Sequence, residues 1–313
     1  MAGKKKAPKK KRRFHWLALK AVLCLIALLL AVMVAQGSVV RVISVELPLR
    51  DLPPAFDGVK IVYISDIHLT ALNGQGKVTT MMKQLQQIHP DLLLLGGDYT
   101  GSDVIGRMIA QSTGELYGAR QAETRNRFFL SLADFDAPLG KFAVPGDMDN
   151  ALERSAQISL SDAAALGGVK LLRDEWTRVE RNGQSIILAG ADDWRTGIQD
   201  ARTPSQGLKG SDCVILLSHN PEAIFQLADQ PGEDGLPWID AALSGHTLGG
   251  LVKLGGYEVF SPLASDGRYR SGWQIADGAK ILISEGLCGS FLPLRLGTSP
   301  QVHVITLRRQ TNE

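Results

Sequence analysis

The chain predicts an α/β layered domain carried behind one membrane-crossing segment, and three observations predict it. From residue 59 onward, short β-rich apolar runs alternate with helical patterns. Carboxylates and imidazoles stand just past the carboxyl ends of five of those runs. An uninterrupted apolar stretch follows a strongly basic amino terminus.

Residues 1–13 hold eight basic side chains and no acid. Without them, 26 basic residues face 32 acidic ones, a net charge of −6 over residues 14–313. The basic character therefore belongs to the tail, and the body gives no reason to expect a nucleic-acid partner. Ala21 to Ala35 is an unbroken apolar run of 15 residues, extended upstream by Trp16-Leu17-Ala18-Leu19 with Lys20 as the one interruption. About 20 such residues span ~30 Å of hydrocarbon if Lys20 snorkels to the interface. We expect a basic cytoplasmic tail over 1–15 and an uncleaved single-pass helix over 16–36, in a bacterial inner membrane with the domain outside. Ala35-Gln36-Gly37 also reads as a signal-peptidase site, which is the alternative. Three scattered cysteines make neither a disulfide framework nor a zinc motif.

Residues 37–58 read as a linker and an entering strand, closed by Pro53-Pro54 and the turn signal Asp57-Gly58. The main domain runs from 59 to 313. Strands are predicted at 59–65, 92–95, 142–144, 185–189, 214–217, 239–243, 281–284 and 302–307. Helices are predicted at 78–88, where Val78, Met81, Met82, Leu85 and Ile88 share one face, and at 121–132. No repeat of 20–50 residues is present, so a solenoid is excluded.

The polar clusters are Asp66-Ile67-His68, Gly97-Asp98, Gly146-Asp147-Met148-Asp149, His219-Asn220 and Gly245-His246-Thr247-Leu248-Gly249-Gly250. Singly, each has a structural explanation: a turn aspartate, an N-cap, a solvated loop histidine. Five of them at five strand ends is a pattern those separate explanations do not produce. Open α/β sheets gather ligands at that edge. Clustered oxygen and nitrogen donors there suit a pair of divalent ions about 4 Å apart that clamps a phosphate and activates water.

The order of these segments resembles the calcineurin-like metallophosphoesterase superfamily. Ile64-Ser65-Asp66-Ile67-His68-Leu69, Leu217-Ser218-His219-Asn220-Pro221, Leu243-Ser244-Gly245-His246-Thr247 and Leu292-Pro293-Leu294-Arg295-Leu296-Gly297 look more narrowly like its membrane-anchored bacterial branch. That branch includes proteins similar to UDP-2,3-diacylglucosamine pyrophosphatases. The resemblance implies a four-layer αββα sandwich with two metals, Mn2+, Zn2+ or Fe2+. It assigns Asp66, His68 and a bridging Asp98 to one ion, and Asp98, Asp147, His219 and His246 to the other. It further implies a catalytic role for Asp149 and substrate contacts for Asn220 and Arg295, although a surface ion pair explains Arg295 equally well.

Three positions depart from the family pattern. Asp147 stands at an asparagine ligand, Met148 at the catalytic histidine and Leu248 at the final histidine ligand. The trailing aspartate of the second motif falls on Gly101, with Asp103 nearby as a stand-in. Aspartate for asparagine keeps an oxygen donor and adds charge. Losing the imidazole at 248 weakens the first ion's site, and a missing general acid costs about 10²–10⁴ in rate. Because an anhydride's leaving phosphate needs no proton, such a site suits pyrophosphate linkages better than alkyl phosphates. The expectation is a membrane-tethered metal-dependent phosphoesterase or pyrophosphohydrolase, acting on a lipid-linked or nucleotide-sugar substrate such as a lipid A precursor. The alternative is a catalytically silent relative that binds or scaffolds. Sidedness is open too, since a nucleotide-linked lipid is met on the cytoplasmic face while the charge bias puts the domain outside. Asp192-Asp193-Trp194 reads as an acidic loop, with lining of the pocket as the alternative, and His15, His89 and His303 as an interfacial, a helix-terminal and a strand residue.

Overall fold

The computed structural model describes residues 9–70, 74–102, 104–153, 156–197, 204–250, 252–255, 257–260, 269, 271–288 and 294–310. Asp103 and the tail before Lys9 lie outside them. The chain runs through α1 (Lys9–Ser38), β1 (Arg41–Leu49), β2 (Lys60–Ile64), α2 (Gln75–Gln86), β3 (Leu92–Leu95), α3 (Val104–Thr113), α4 (Tyr117–Leu130), β4 (Lys141–Ala143), α5 (Asp147–Glu153) and α6 (Leu160–Ala165). It continues through β5 (Val169–Leu171), β6 (Glu175–Arg181), β7 (Gln184–Gly190), β8 (Val214–Leu217), α7 (Pro221–Ala228), β9 (Ala241–Ser244), β10 (Val252–Leu254), β11 (Tyr257–Phe260), β12 (Gly272–Ala276), β13 (Ala279–Ile283) and β14 (Gln301–Arg309).

Two six-stranded sheets form, β1-β14-β2-β3-β4-β5 and β12-β13-β9-β8-β7-β6. In the first, β2 to β5 are parallel and β14 is antiparallel to β2. In the second, β13, β9, β8 and β7 are parallel, with β12 and β6 as antiparallel edges. Strands covered on both faces read as continuous apolar runs. In β2, Ile61 and Tyr63 point into the core between the sheets, together with Leu188, Ile215 and Leu243 of the second sheet. Val62 and Ile64 point the other way, against Met82, Leu85 and Phe129 of α2 and α4. On the far side, Ile187, Val214 and Ala242 pack beneath Ile224 and Leu227 of α7. The layers are therefore helix, sheet, sheet, helix, and the carboxyl ends of the parallel strands of both sheets meet along one edge.

All eight predicted strand runs are strands, with ends shifted by one or two residues. The elements missed are short or polar. In β6, Glu175 to Arg181, Val179 is the fully buried side chain, as befits a charged edge strand that discourages pairing with another chain. Its hairpin partner β7 follows Asn182 and Gly183, both at positive φ (51° and 75°), the pair that a tight primed turn requires. Residues 41–49, within the expected linker and entering strand, form β1 along β14.

From His15 to Ser38, α1 is a candidate membrane span of 24 residues whose most apolar window buries no residue. Trp16, Leu17, Leu25 and Leu28 are each more than half exposed, an apolar surface that water disfavours. Its end is tied down, since Arg295 N–H donates to the Met33 carbonyl (3.1 Å) and Gly297 N–H to Gln36 Oε1 (2.9 Å).

Candidate metal centre

The site forms where the chain leaves β2, β3, β4, β8 and β9. The exits from β2, β3 and β9 are tight, and the backbone records it: Asp66, His68, Asp98, His246 and Leu248 all sit at positive φ, between 43° and 65°. Such conformations cost non-glycine residues energy and concentrate at functional sites. The loops are stitched by amides, with Asp66 N–H donating to the Gly97 carbonyl (3.0 Å) and His68 N–H to the Asp98 carbonyl (2.9 Å). At Gly97, φ is +88° and a Cβ would come within 2.9 Å of the His219 ring, so a side chain there would displace the imidazole.

Two clusters of donors result. Asp66, Asp98 and His219 form one and Asp147, His219 and His246 the other, each with ligand atoms within 4.8 Å of one another. His219 Nε2 lies 3.4 Å from Asp98 Oδ2 and 3.5 Å from Asp147 Oδ1. His68 Nε2 is 3.6 Å from Asp98 Oδ2, beside the first cluster. His246 Nδ1 is 3.7 Å from Asp147 Oδ1 and 3.2 Å from His219 Nε2. All are buried except Asp147, whose side chain is 21% exposed.

The arrangement fits a cation. His219 Nδ1 faces the Gly96 carbonyl at 2.8 Å, so in the neutral ring that nitrogen donates and Nε2 turns its lone pair to the carboxylates. Burial works against a charged His219, yet Asp98, Asp147 and Asp66 hold its pKa well above the ordinary value. Burial likewise raises Asp98, against the pull of His219. For Asp147, burial is outweighed by His219, His246 and Arg195, which keep the carboxyl well below the usual range. Burial takes His68 and His246 down to about 4, leaving both rings neutral and able to ligate. Three converging carboxylates with no lysine among them are costly to bury unless a positive charge compensates them.

Five further residues singled out in the sequence are placed by their burial and partners. Asp149, expected as catalytic, is wholly buried and saturated: its carboxylate accepts from the amides of Asp98 (2.7 Å), Gly146 (2.9 Å) and Tyr99 (3.2 Å). It pins the Asp98 loop to the Asp147 loop, and burial raises its pKa to about 6 against those three donors. Arg295 is no surface ion pair and presents no open fork. It is buried and donates to the carbonyls of Leu248 (3.2 Å), Cys288 (3.1 Å) and Gly286 (3.4 Å). Asn220 is buried, with Nδ2 on Asp193 Oδ2 (2.9 Å). Asp192 and Asp193, expected in a solvated acidic loop, are buried as well.

Asp193 leads to a residue the sequence reading missed. Its Oδ1 accepts from the amides of Arg195 (3.0 Å) and Thr196 (2.8 Å) and from the Thr196 hydroxyl, a turn that projects Arg195 toward the site. Arg195 Nη1 lies 3.2 Å from His246 Nε2, and the side chain is otherwise exposed. Its signal in the sequence was Asp192-Asp193-Trp194-Arg195-Thr196 directly after β7, another strand of the ligand-bearing sheet. Met148 is half-buried, and its amide donates to Asp98 Oδ1 (3.0 Å). Leu248 is buried, so no ligand replaces it at that position.

Comparison with known proteins agrees with this geometry. The sequence profile described as calcineurin-like phosphoesterase matches residues 59–250. The protein YpbG of Bacillus subtilis is 30% identical over 247 residues, covering 79% of this chain and 80% of that protein. Phosphodiesterase YaeI of Escherichia coli is 25% identical, covering 79% and 82%. The UDP-2,3-diacylglucosamine pyrophosphatase LpxG of Chlamydia trachomatis is 23% identical, covering 65% and 68%.

Proposed function

The chain belongs to the calcineurin-like phosphoesterase family, and we propose that it is a membrane-tethered, metal-dependent hydrolase of phosphoester or phosphoanhydride bonds. One observation carries the reading: Asp66, Asp98, Asp147, His219 and His246, far apart in sequence, converge in two donor clusters that share His219. We assign Asp66, His68 and Asp98 to one divalent ion, and Asp98, Asp147, His219 and His246 to the second. Bound there, such ions neutralise the phosphate and make water nucleophilic at neutral pH.

The protein's own groups then set the substrate. Arg195, exposed at the mouth, meets the phosphate oxygens with the guanidinium edge that His246 does not use. Met148 has no proton to give, so a leaving group that departs as an anion is favoured. A phosphoanhydride or an activated diester meets that condition, and an alkyl monoester does not. A lipid-linked or nucleotide-sugar pyrophosphate is the proposed class, and LpxG, similar over 65% of the chain, carries such an activity in its name. The span from His15 to Ser38 holds the domain at a bacterial inner membrane, on the outer face by its flanking charge.

Purified full-length protein should hold between one and two manganese or zinc ions per chain and hydrolyse bis(p-nitrophenyl) phosphate. Metal-free protein that stays inert with saturating manganese would overturn the enzyme. The second reading, a silent relative with a binding role, would then stand on Met148 and Leu248. Protease added to spheroplasts should digest the domain, and protection would reverse the topology. A soluble protein starting near Ser38 would replace the anchor with a cleaved signal.

A further inference from the structure

Beside the end of α1 is a cavity of about 550 Å³ that the metal centre does not use. One wall is the exit of the membrane helix, Gly37, Ser38 and Val40. The opposite wall is the first turns of α2, where Lys77, Thr80 and Met81 face it, and the floor is Leu287 and Cys288. The floor belongs to the metal-site framework: Leu287 N–H donates to the Ser65 carbonyl and Cys288 N–H to the Asp66 carbonyl, both at 2.9 Å. Arg295 ties the same pieces together, with its amide on Met33 of α1 and its guanidinium on Cys288 and Leu248. The cavity thus lies where the span leaves the membrane and shares its floor with the first ligand strand end. Apolar Val40, Met81 and Leu287 line a space of a size that takes a drug-sized or acyl ligand, and exposed Lys77 supplies a cation at its rim.

We propose that this cavity docks the acyl portion of an anionic membrane lipid, with the head group toward Lys77 and the strand-end edge. Such a site selects a lipid phosphate as the substrate class and lets it be handled without leaving the bilayer. The hydrolytic fate of the lipid rests on the phosphoesterase reading, whereas the docking does not. The ring of Trp at position 80 or 40 fills the cavity from either wall, and both positions are exposed and away from the metal ligands.

The full chain would be reconstituted in phosphatidylcholine vesicles doped with a phosphatidic acid carrying a photoactivatable diazirine on one acyl chain, and labelled peptides mapped. Labelling of the segment 76–84 is expected, reduced about tenfold in both Thr80→Trp and Val40→Trp. Metal content and hydrolysis of bis(p-nitrophenyl) phosphate should stay at natural levels in those variants. Lys77→Ala should abolish the preference for the phosphatidic acid probe over a diacylglycerol probe. Label confined to residues 15–38, or equal label at 76–84 in natural protein and both tryptophan variants, would overturn the proposal. Protein that binds the probe in this pattern but hydrolyses no diester would leave the docking standing and remove the enzyme instead.

Discussion

The two sheets bring unlike chemistry to one edge. The first contributes carboxylates, Asp66, Asp98 and Asp147, with His68 among them, and the second contributes the imidazoles His219 and His246 with Arg195 beside them. Each edge also holds a buried aspartate whose carboxylate accepts from several donors of its own chain. Asp149 braces the first edge with three amides, and Asp193 braces the second through Arg195, Thr196 and Asn220. The difference teaches that an aspartate at a strand end is a ligand or a brace according to what donates to it, and residue type does not distinguish the two.

The comparison can be broken most forcefully at the residues both clusters share. Asp98→Ala, which removes the carboxylate assigned to both ions, and His219→Ala, which removes the one residue common to the two donor clusters, should each lower metal affinity and diester turnover by more than the ~10–100-fold that removal of a supporting partner costs. Metal analysis and kinetics on the same samples check this, and a variant that keeps its full metal complement would mean the clusters are wrongly drawn. Two residues apart, Asp147→Ala and Asp149→Ala should then separate ligand from brace. Asp149→Ala leaves three amides without their acceptor and should cost about 3 kcal/mol of stability in urea unfolding. Asp147→Ala, at a partly exposed carboxylate, loses only its pairing with His219 and His246 and should cost about 1 kcal/mol in metal-free protein while metal is lost. Equal midpoints for the two would erase the distinction.

On the second edge, Asp193→Ala should cost about 2 kcal/mol, because it strands the buried Asn220 amide while water reaches exposed Arg195 and half-buried Thr196. Met148→His with Leu248→His restores the family imidazoles on both edges. If the natural chain is limited by a missing acid, turnover of a phosphomonoester should rise by up to about 10²-fold, and that of a nucleotide pyrophosphate by much less. A uniform gain across both substrates would locate the deficit in metal binding instead. The smallest effect is expected at Arg195→Ala. KM for a diester should rise about tenfold with kcat little changed, since a charge-assisted hydrogen bond is worth roughly 1.5–3 kcal/mol. Asp193→Ala should reproduce part of that rise if the brace acts by aiming Arg195, and an unaltered KM in both would detach Arg195 from the substrate.

Much was legible because burial on both faces writes itself into composition. Runs such as Leu92–Leu95 and Val214–Leu217 have one reading, a strand covered on both sides, and the polar residues at their ends stand out against them. Asp66, Asp98, His219 and His246 were found in that way. Polar edge strands gave no such contrast, although Asn182-Gly183 did signal the hairpin that carries β6. Arg195 was missed since it follows β7 at a distance that only the turn around Asp193 makes meaningful.

By itself, the order of residues determined the layered class, the stretch apolar enough to cross a membrane and the strand ends that carry the candidate ligands, because these depend on hydrophobic period and local turn chemistry. The tertiary structure alone decided which acids face one another and which are saturated by amides. It made Arg295 a clamp on three carbonyls, turned Asp192 and Asp193 inward and set Arg195 against His246. Those outcomes depend on contacts between separate loops, 51 residues apart for Arg195 and His246 and 180 apart for His246 N–H on the Asp66 carboxylate (3.1 Å), and no local pattern encodes the direction in which a side chain finds its donor.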